Sequence, residues 1–316
     1  MARYILKRLL ILVPTILVLT ILIFTIVNAI PGDPASIALG TESAASIEDV
    51  REKMGLNESK KTRYFNWISN MLKGDFGDSY FLGRSVKDAI VERLPVTFSL
   101  ATLSLCFAII IGIPLGILAS LKPNSARDTA FMGFSLLGLS TPEFFLGLLL
   151  MTVFSLKLKW FPTGGYTPMS EGILPWFKSM AIPAFSYGLS QAAYIARLMR
   201  SSMLEVLNQD YIETARSKGQ VEYLIVLKHA LRNAFLPILT AIGMVYALLL
   251  GGAFITESLF RLPGAGSLII SSIAKRDYPI VQGALLFFSC VILIVNLVVD
   301  ILYAFVDPRV SYGKKI

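Results

Sequence analysis

The chain has 316 residues, 55% of them hydrophobic and only 16% charged, with a mean hydropathy of +0.67. Charged residues make up about a quarter of an ordinary soluble domain, so this is the composition of a membrane protein. The formal net charge is +8, but the basic residues sit at the ends of apolar runs and not in one patch. That pattern follows the positive-inside rule; a bilayer is the expected partner and nucleic acid is not. Cys106 and Cys290 lie inside apolar runs and read as small buried hydrophobes, with no disulfide framework. No GxxxxGK[ST] pattern is present, so ATP binding by that route is not expected. The single histidine, His229, has no cluster of metal-ligating neighbours in sequence, and no metal site is expected. No nucleophile, base and oxyanion donor come together, so the chain does not read as an enzyme.

Arg3, Lys7 and Arg8 precede an apolar run over 9–30, with Pro14 in its first turns. Val27-Asn28-Ala29 has the look of a signal-peptidase site, but the run is longer than a usual signal core and long enough to span. Residues 1–30 are therefore read as a cytoplasmic N-terminus and an uncleaved first span. Residues 31–94 are polar, with helix signals at 47–55 and 61–73, and carry nine Lys/Arg. Long loops cross largely regardless of charge, so this segment is placed outside. It is either a tether or a part of substrate passage.

Residues 95–306 form the expected core. A second span over 95–121 contains Gly112, Pro114 and Gly116, which permit close helix contact. A basic turn over 122–128 follows inside. A third span over 129–156 is interrupted by Ser140-Thr141-Pro142-Glu143, where the proline frees a carbonyl that a Ser or Thr hydroxyl can take. Aromatic and turn residues over 157–180 suit the outer interface. The fourth span, 181–196, is the most polar and contains Pro183 and Gln191; Arg197 and Arg200 mark its inner end. The fifth, 236–256, contains Gly243, Gly251 and Gly252, and an outer segment with a short helix separates it from the sixth, 280–305. Residues 307–316 close the chain inside as a cytoplasmic tail. On this arrangement fourteen Lys/Arg lie inside against six in the short outer loops.

Between the fourth and fifth spans lies a charged stretch, 205–235, whose basic excess places it in the cytoplasm. Asp210 followed by Glu213 reads as a variant capping box, opening a short helix over 211–218. Gly219 ends it, because a left-handed residue after a helix is cheapest as glycine. A second helix is expected over 221–234, with Leu236-Pro237 starting the next span. A two-turn helix is not stable alone in water. It rests either on the lipid surface or on a protein partner.

Glu213-Thr214-Ala215, then Gly219, then Leu236-Pro237 resembles the EAA loop of ABC importer permeases, with Thr214 in place of its second residue. The wider stretches RSSMLEVLNQDYIETARSKG and LKHALRNAFLP resemble the permeases of the dipeptide, oligopeptide and nickel importers. So do YILKRLLILVPTILVLTILIF with IPGDPA, and MGL with YFNWISNMLKGDFGDSY. The family pattern Glu-x-x-Phe-x-Trp-Pro-Gly-x-Gly is met from Glu257 to Gly266, except that Leu262 stands where the tryptophan is expected. Asp307-Pro308-Arg309 closes the chain as in the family.

The resemblance covers nearly the whole chain. It implies an all-α membrane protein of the type I ABC importer permease fold: six transmembrane helices, cytoplasmic coupling helices and an extracytoplasmic segment between the first two spans. The long segment after the first span matches the B-type of two unlike permeases in a bacterial inner membrane. The implied partners are a C-type permease, two ABC ATPase subunits and an extracytoplasmic solute-binding protein. ATP and Mg belong to the ATPases, and no cofactor is expected in this chain. Asp210, Glu213, Thr214, Ala215 and Gly219 would couple to an ATPase. Dipeptides or oligopeptides are the implied cargo, with nickel, a metallophore or glutathione as alternatives. A stand-alone secondary transporter or channel is the alternative from another class.

Ionisable and amide groups inside spans are costly and should face a cavity or a partner. Glu143, Gln191 and Glu257 are candidates for the translocation path. Asn296 and Asp300, four apart on one helix face, either line the path or fix packing.

Overall fold

The computed structural model describes residues 2–39 and 44–306. It is 79% helical. The described residues contain no strand, only an isolated bridge between Asp78 and Ser85. The first helix, α1, runs Ala2–Val27. Four short helices follow: α2 Pro34–Leu39, α3 Ala44–Lys53, α4 Lys60–Leu72 and α5 Val86–Val91. Ser59 and Ser85 cap the last two, each accepting from the backbone N–H three residues on. These helices match the signals at 47–55 and 61–73.

The core is built on α6 (Leu94–Ser120) and a later helix, α9 (Ile173–Leu207). They touch backbone to backbone. A Cβ on Gly112 would stand 2.6 Å from the Ala192 carbonyl oxygen, and one on Gly116 would stand 2.5 Å from that of Ala196. The glycine spacing thus acts as the sequence suggested: it lets two helices approach where no hydrophobic effect drives them together.

Between them, the expected third span is not one straight helix. It is α7 (Ala126–Ser140) and α8 (Glu143–Leu150), the latter continuing in π-turns over Met151–Lys157, bent by 99° at Thr141-Pro142. The carbonyl that Pro142 cannot bond, Gly138 O, accepts from Ser190 Oγ of α9 at 3.3 Å, and not from Ser140 or Thr141. Thr141 bonds back to Leu137 O instead. The fourth helix also departs from expectation. It runs 35 residues, well past 181–196 at both ends, with Pro183 inside.

The charged stretch 205–235 contains α10, Asp210–Ser217. The second loop helix is not separate. A turn of α11 (Glu222–Leu224), π-turns over Ile225–Ala230 and α12 (Leu231–Gly252) form one helical run, Glu222–Gly252. Pro237 therefore lies inside a helix and does not start one. Then come α13 (Phe254–Leu259), α14 (Ala265–Lys275) and α15 (Tyr278–Val306). The tail, with Asp307, Pro308, Arg309, Lys314 and Lys315, lies outside the described residues.

Four helical runs are long and apolar enough to cross a membrane, and the bent α7–α8 pair makes a fifth. Two apolar clusters stack along α6, α9 and α12. One gathers Leu100, Met180, Tyr187, Leu249, Phe260 and Leu262; the other gathers Met199, Met203, Ile212, Ile225 and Ile238. Cys106 is exposed on α6, not buried; Cys290 is half-buried, and both are free thiols.

Candidate functional site

The site in the charged stretch 205–235 is built around α10. Its cap is Gln209, whose side chain makes no capping bond; Asp210 is the first helical residue. The expected capping box is thus absent. Asp210 and Glu213 instead place two carboxylates in the first turn, where they oppose the positive end of the helix dipole. Thr214 Oγ1 donates to Asp210 O at 2.9 Å.

The other end meets expectation. Gly219 has φ +74°, Gly219 N donates to Arg216 O at 2.9 Å, and Gln220 N to Ala215 O at 3.3 Å. That pair is a Schellman closure. A Cβ on Gly219 would meet nothing within 4 Å, so glycine is required there by backbone conformation and not by space.

On α10, Asp210, Glu213 and Thr214 are exposed and Ala215 is half-buried, while Ile212 is fully buried among Met203, Ile225 and Ile238. One apolar anchor therefore holds the helix to the core. Its rim is tied by Asn233 Nδ2 donating to Tyr211 Oη at 2.8 Å, and by His229 Nε2 and Gln220 Oε1 at 2.9 Å. The Arg216 guanidinium pairs with both Glu222 oxygens at 3.2 and 2.8 Å. None of these ties was foreseen from sequence.

A second inner feature also escaped the sequence reading. Asp128 and Arg200 were read only as loop and helix-end charges. They form a bidentate pair, Nε at 2.6 Å and Nη2 at 2.5 Å, with Asn124 N donating to the same carboxylate at 2.9 Å. Asp128 is buried.

The path candidates separate. Glu143 opens α8 just after the bend, half-buried, and has no hydrogen-bond or ion-pair partner among the described residues. Gln191 is half-buried on α9 beside Ser190. Glu257, in contrast, is fully enclosed by its own chain. Thr97 Oγ1 donates to its Oε1 at 2.6 Å, Ser267 N to its Oε2 at 2.8 Å, and Ala265 N to Thr97 Oγ1 at 2.9 Å. Gly264 and Gly266 press on this carboxylate, and a Cβ on either would collide with it or with Phe254. Glu257 thus positions the Pro-Gly-x-Gly turn. Leu262, at the expected tryptophan position, is buried in the upper cluster.

Asn296 and Asp300 also part company. Asn296 is exposed on an apolar groove of ≈480 Å³ with Met244, Leu248 and Gly252. Asp300 pairs with Arg8 Nη1 at 2.7 Å and so ties α15 to α1. The partner is an arginine of the first helix. Among the described residues no group of three His, Cys, Asp or Glu side chains is arranged to hold a metal ion.

Residues 112–312 match the family described as the binding-protein-dependent transport system inner membrane component, and residues 1–101 match the N-terminal part of such a component. A putative peptide transport system permease protein of Brucella abortus (strain 2308) is 42% identical over 313 residues, covering 99% of this chain and all of that one. A glutathione transport system permease protein of Escherichia coli (strain K12) is 41% identical over the same length, with 99% and 100% covered. In fold, a chain of the inward-facing MetNI methionine ABC transporter matches with TM-score 0.56 at 17% identity, covering 69% of this chain and 95% of that one. The matches run from the first helix through the charged stretch to the last, and the chain belongs to the binding-protein-dependent transport system inner membrane components.

Proposed function

We propose that this chain is the B-type permease of an ATP-driven ABC importer and forms half of a path for short peptides. The relatives named above are peptide and glutathione permeases, and glutathione is itself a short peptide. With α9 counted alongside the four apolar runs and the bent pair, the chain has six spans. The N-terminus is cytoplasmic, 31–94 faces outward, and the tail is cytoplasmic. Partners are a C-type permease, two ABC ATPases and an extracytoplasmic binding protein; ATP and Mg act in the ATPases.

One observation carries the coupling role. Exposed Tyr211, Val221, Tyr223 and Leu227 surround an eight-residue helix fixed by a single buried side chain. Apolar side chains grouped on a polar inner surface suit a protein groove better than water. Asp210, Glu213, Thr214 and Ala215 would meet the ATPase there. Because the helical run after Gly219 is the fifth span itself, a shift of α10 reaches the membrane without an intervening hinge helix. Glu143, unpartnered at the bend of α7–α8, and Gln191 would line the path, with Asn296 a further candidate. Nickel or a metallophore remains the alternative cargo.

The test is ATP-dependent uptake of labelled dipeptide by cells lacking this gene, with and without its restoration. Restored uptake supports the reading. No restoration, with the protein present in the membrane, refutes peptide as cargo.

A further inference from the structure

One cavity lies outside the coupling and path regions. It is an open pocket of ≈610 Å³ where α3, α4 and the turn over 76–80 meet the outer ends of α1 and α15. Its volume is in the range of small-molecule sites, about 300–1,000 Å³. Its walls carry both signs of charge: Lys53 and Arg63 against Asp78. Arg63 is half-buried, and its guanidinium has no hydrogen bond or ion pair among the described residues. A guanidinium left so is a ready donor to a carboxylate. Trp67 and Tyr80 supply aromatic walls, and the Trp67 indole N–H is buried with no acceptor among the described residues. A buried donor without a partner is costly in stability and usually has a reason.

The pocket is also held in shape. Tyr80 Oη donates to Met54 O at 3.3 Å, and Ser79 Oγ donates to the buried Asp277 carboxylate, which also accepts from Tyr80 N at 3.2 Å. Arg276 Nε donates to Pro31 O at 2.7 Å. The start of the 31–94 segment and its turn at 79–80 are therefore clasped to the start of α15.

We infer that this pocket is an outer subsite for a short zwitterionic peptide, its free carboxylate on Arg63 and Lys53 and its ammonium group toward Asp78. The inference rests on the proposed function, which sets the segment outside and makes peptides the cargo. A peptide released from a binding protein would be held there before it enters the membrane path. The same chemistry occurs in a phospholipid headgroup, and the pocket borders the outer ends of two membrane helices.

The experiment uses the permease pair with its ATPases in nanodiscs, without the binding protein, and measures binding of labelled Ala-Phe. Arg63→Gln and Lys53→Gln should each weaken binding by about tenfold, the loss of one charge-assisted contact, and Arg63→Lys should recover part of it. The C-terminal amide of Ala-Phe should compete poorly. Unchanged affinity in both Gln variants, or equal competition by the amide, overturns the inference. So does a site that answers only to replacing phosphatidylcholine with phosphatidylethanolamine, which would make it a headgroup site. Wild-type uptake of Ala-Phe in whole cells is measured in parallel. Uptake without Arg63-dependent binding defeats the subsite alone; absence of uptake defeats the proposed function itself.

Discussion

The two ends of the core are built on opposite plans. At the outer end a carboxylate, Glu257, is enclosed completely and bonded on both oxygens, and two glycines are packed against it. At the inner end α10 is anchored by one fully buried side chain, Ile212, with a hydrogen-bonded rim, and turns its carboxylates to solvent. The outer turn is finished within one chain. The inner helix is too short to be stable by itself and gains its support by docking. A fixed outer frame and a partner-dependent inner element are what a part that transmits motion from below would need.

That contrast can be broken from either end. The largest effect is expected for Glu257→Ala, which strands Thr97 and the Ser267 N–H in the interior. Each buried unsatisfied group costs about 1–3 kcal/mol, so melting temperature and membrane yield should both fall clearly, with Glu257→Gln intermediate. Asp128→Ala leaves the Arg200 guanidinium without its partner; breaking a buried pair from one side costs about 3–5 kcal/mol, reduced here because Arg200 is partly exposed. The double variant Asp128→Ala with Arg200→Leu should recover part of the loss.

Smaller effects are expected at the inner rim. Gly219→Ala forces a side chain into the left-handed region at a cost of about 1 kcal/mol, with no collision to relieve. Gly219→Asn should cost less, since asparagine tolerates that region. Arg216→Ala removes an exposed pair and should change stability by under about 1 kcal/mol. If Arg216→Ala were as damaging as Glu257→Ala, the division between a fixed and a docked end would fail.

Much of this was legible in the sequence. Gly112 and Gly116 announced the α6–α9 contact, because a small-residue spacing has one direct use between membrane helices. Gly219 announced the end of α10 because few residues accept positive φ. The 99° bend at Pro142 was legible only as an interruption, since a proline says that a helix cannot continue unchanged but not how far it turns. The length of α9 was hidden by its polarity: a helix shielded by neighbours carries no long apolar run. Asp128 with Arg200, and Arg8 with Asp300, are 72 and 292 positions apart and bear no local signal of each other. Glu257 looked like a path residue because a carboxylate near a span is costly; only its three-dimensional partners show that the cost is met by hydrogen bonds within the chain.

The central claim is that motion enters through α10 and its turn at Gly219. Its most direct test is the ratio of peptide uptake to ATP hydrolysis in proteoliposomes holding the full transporter, wild type against Gly219→Val. Hydrolysis that persists while uptake falls, in a complex that still assembles, is the predicted result. Normal uptake per ATP in the variant would contradict it.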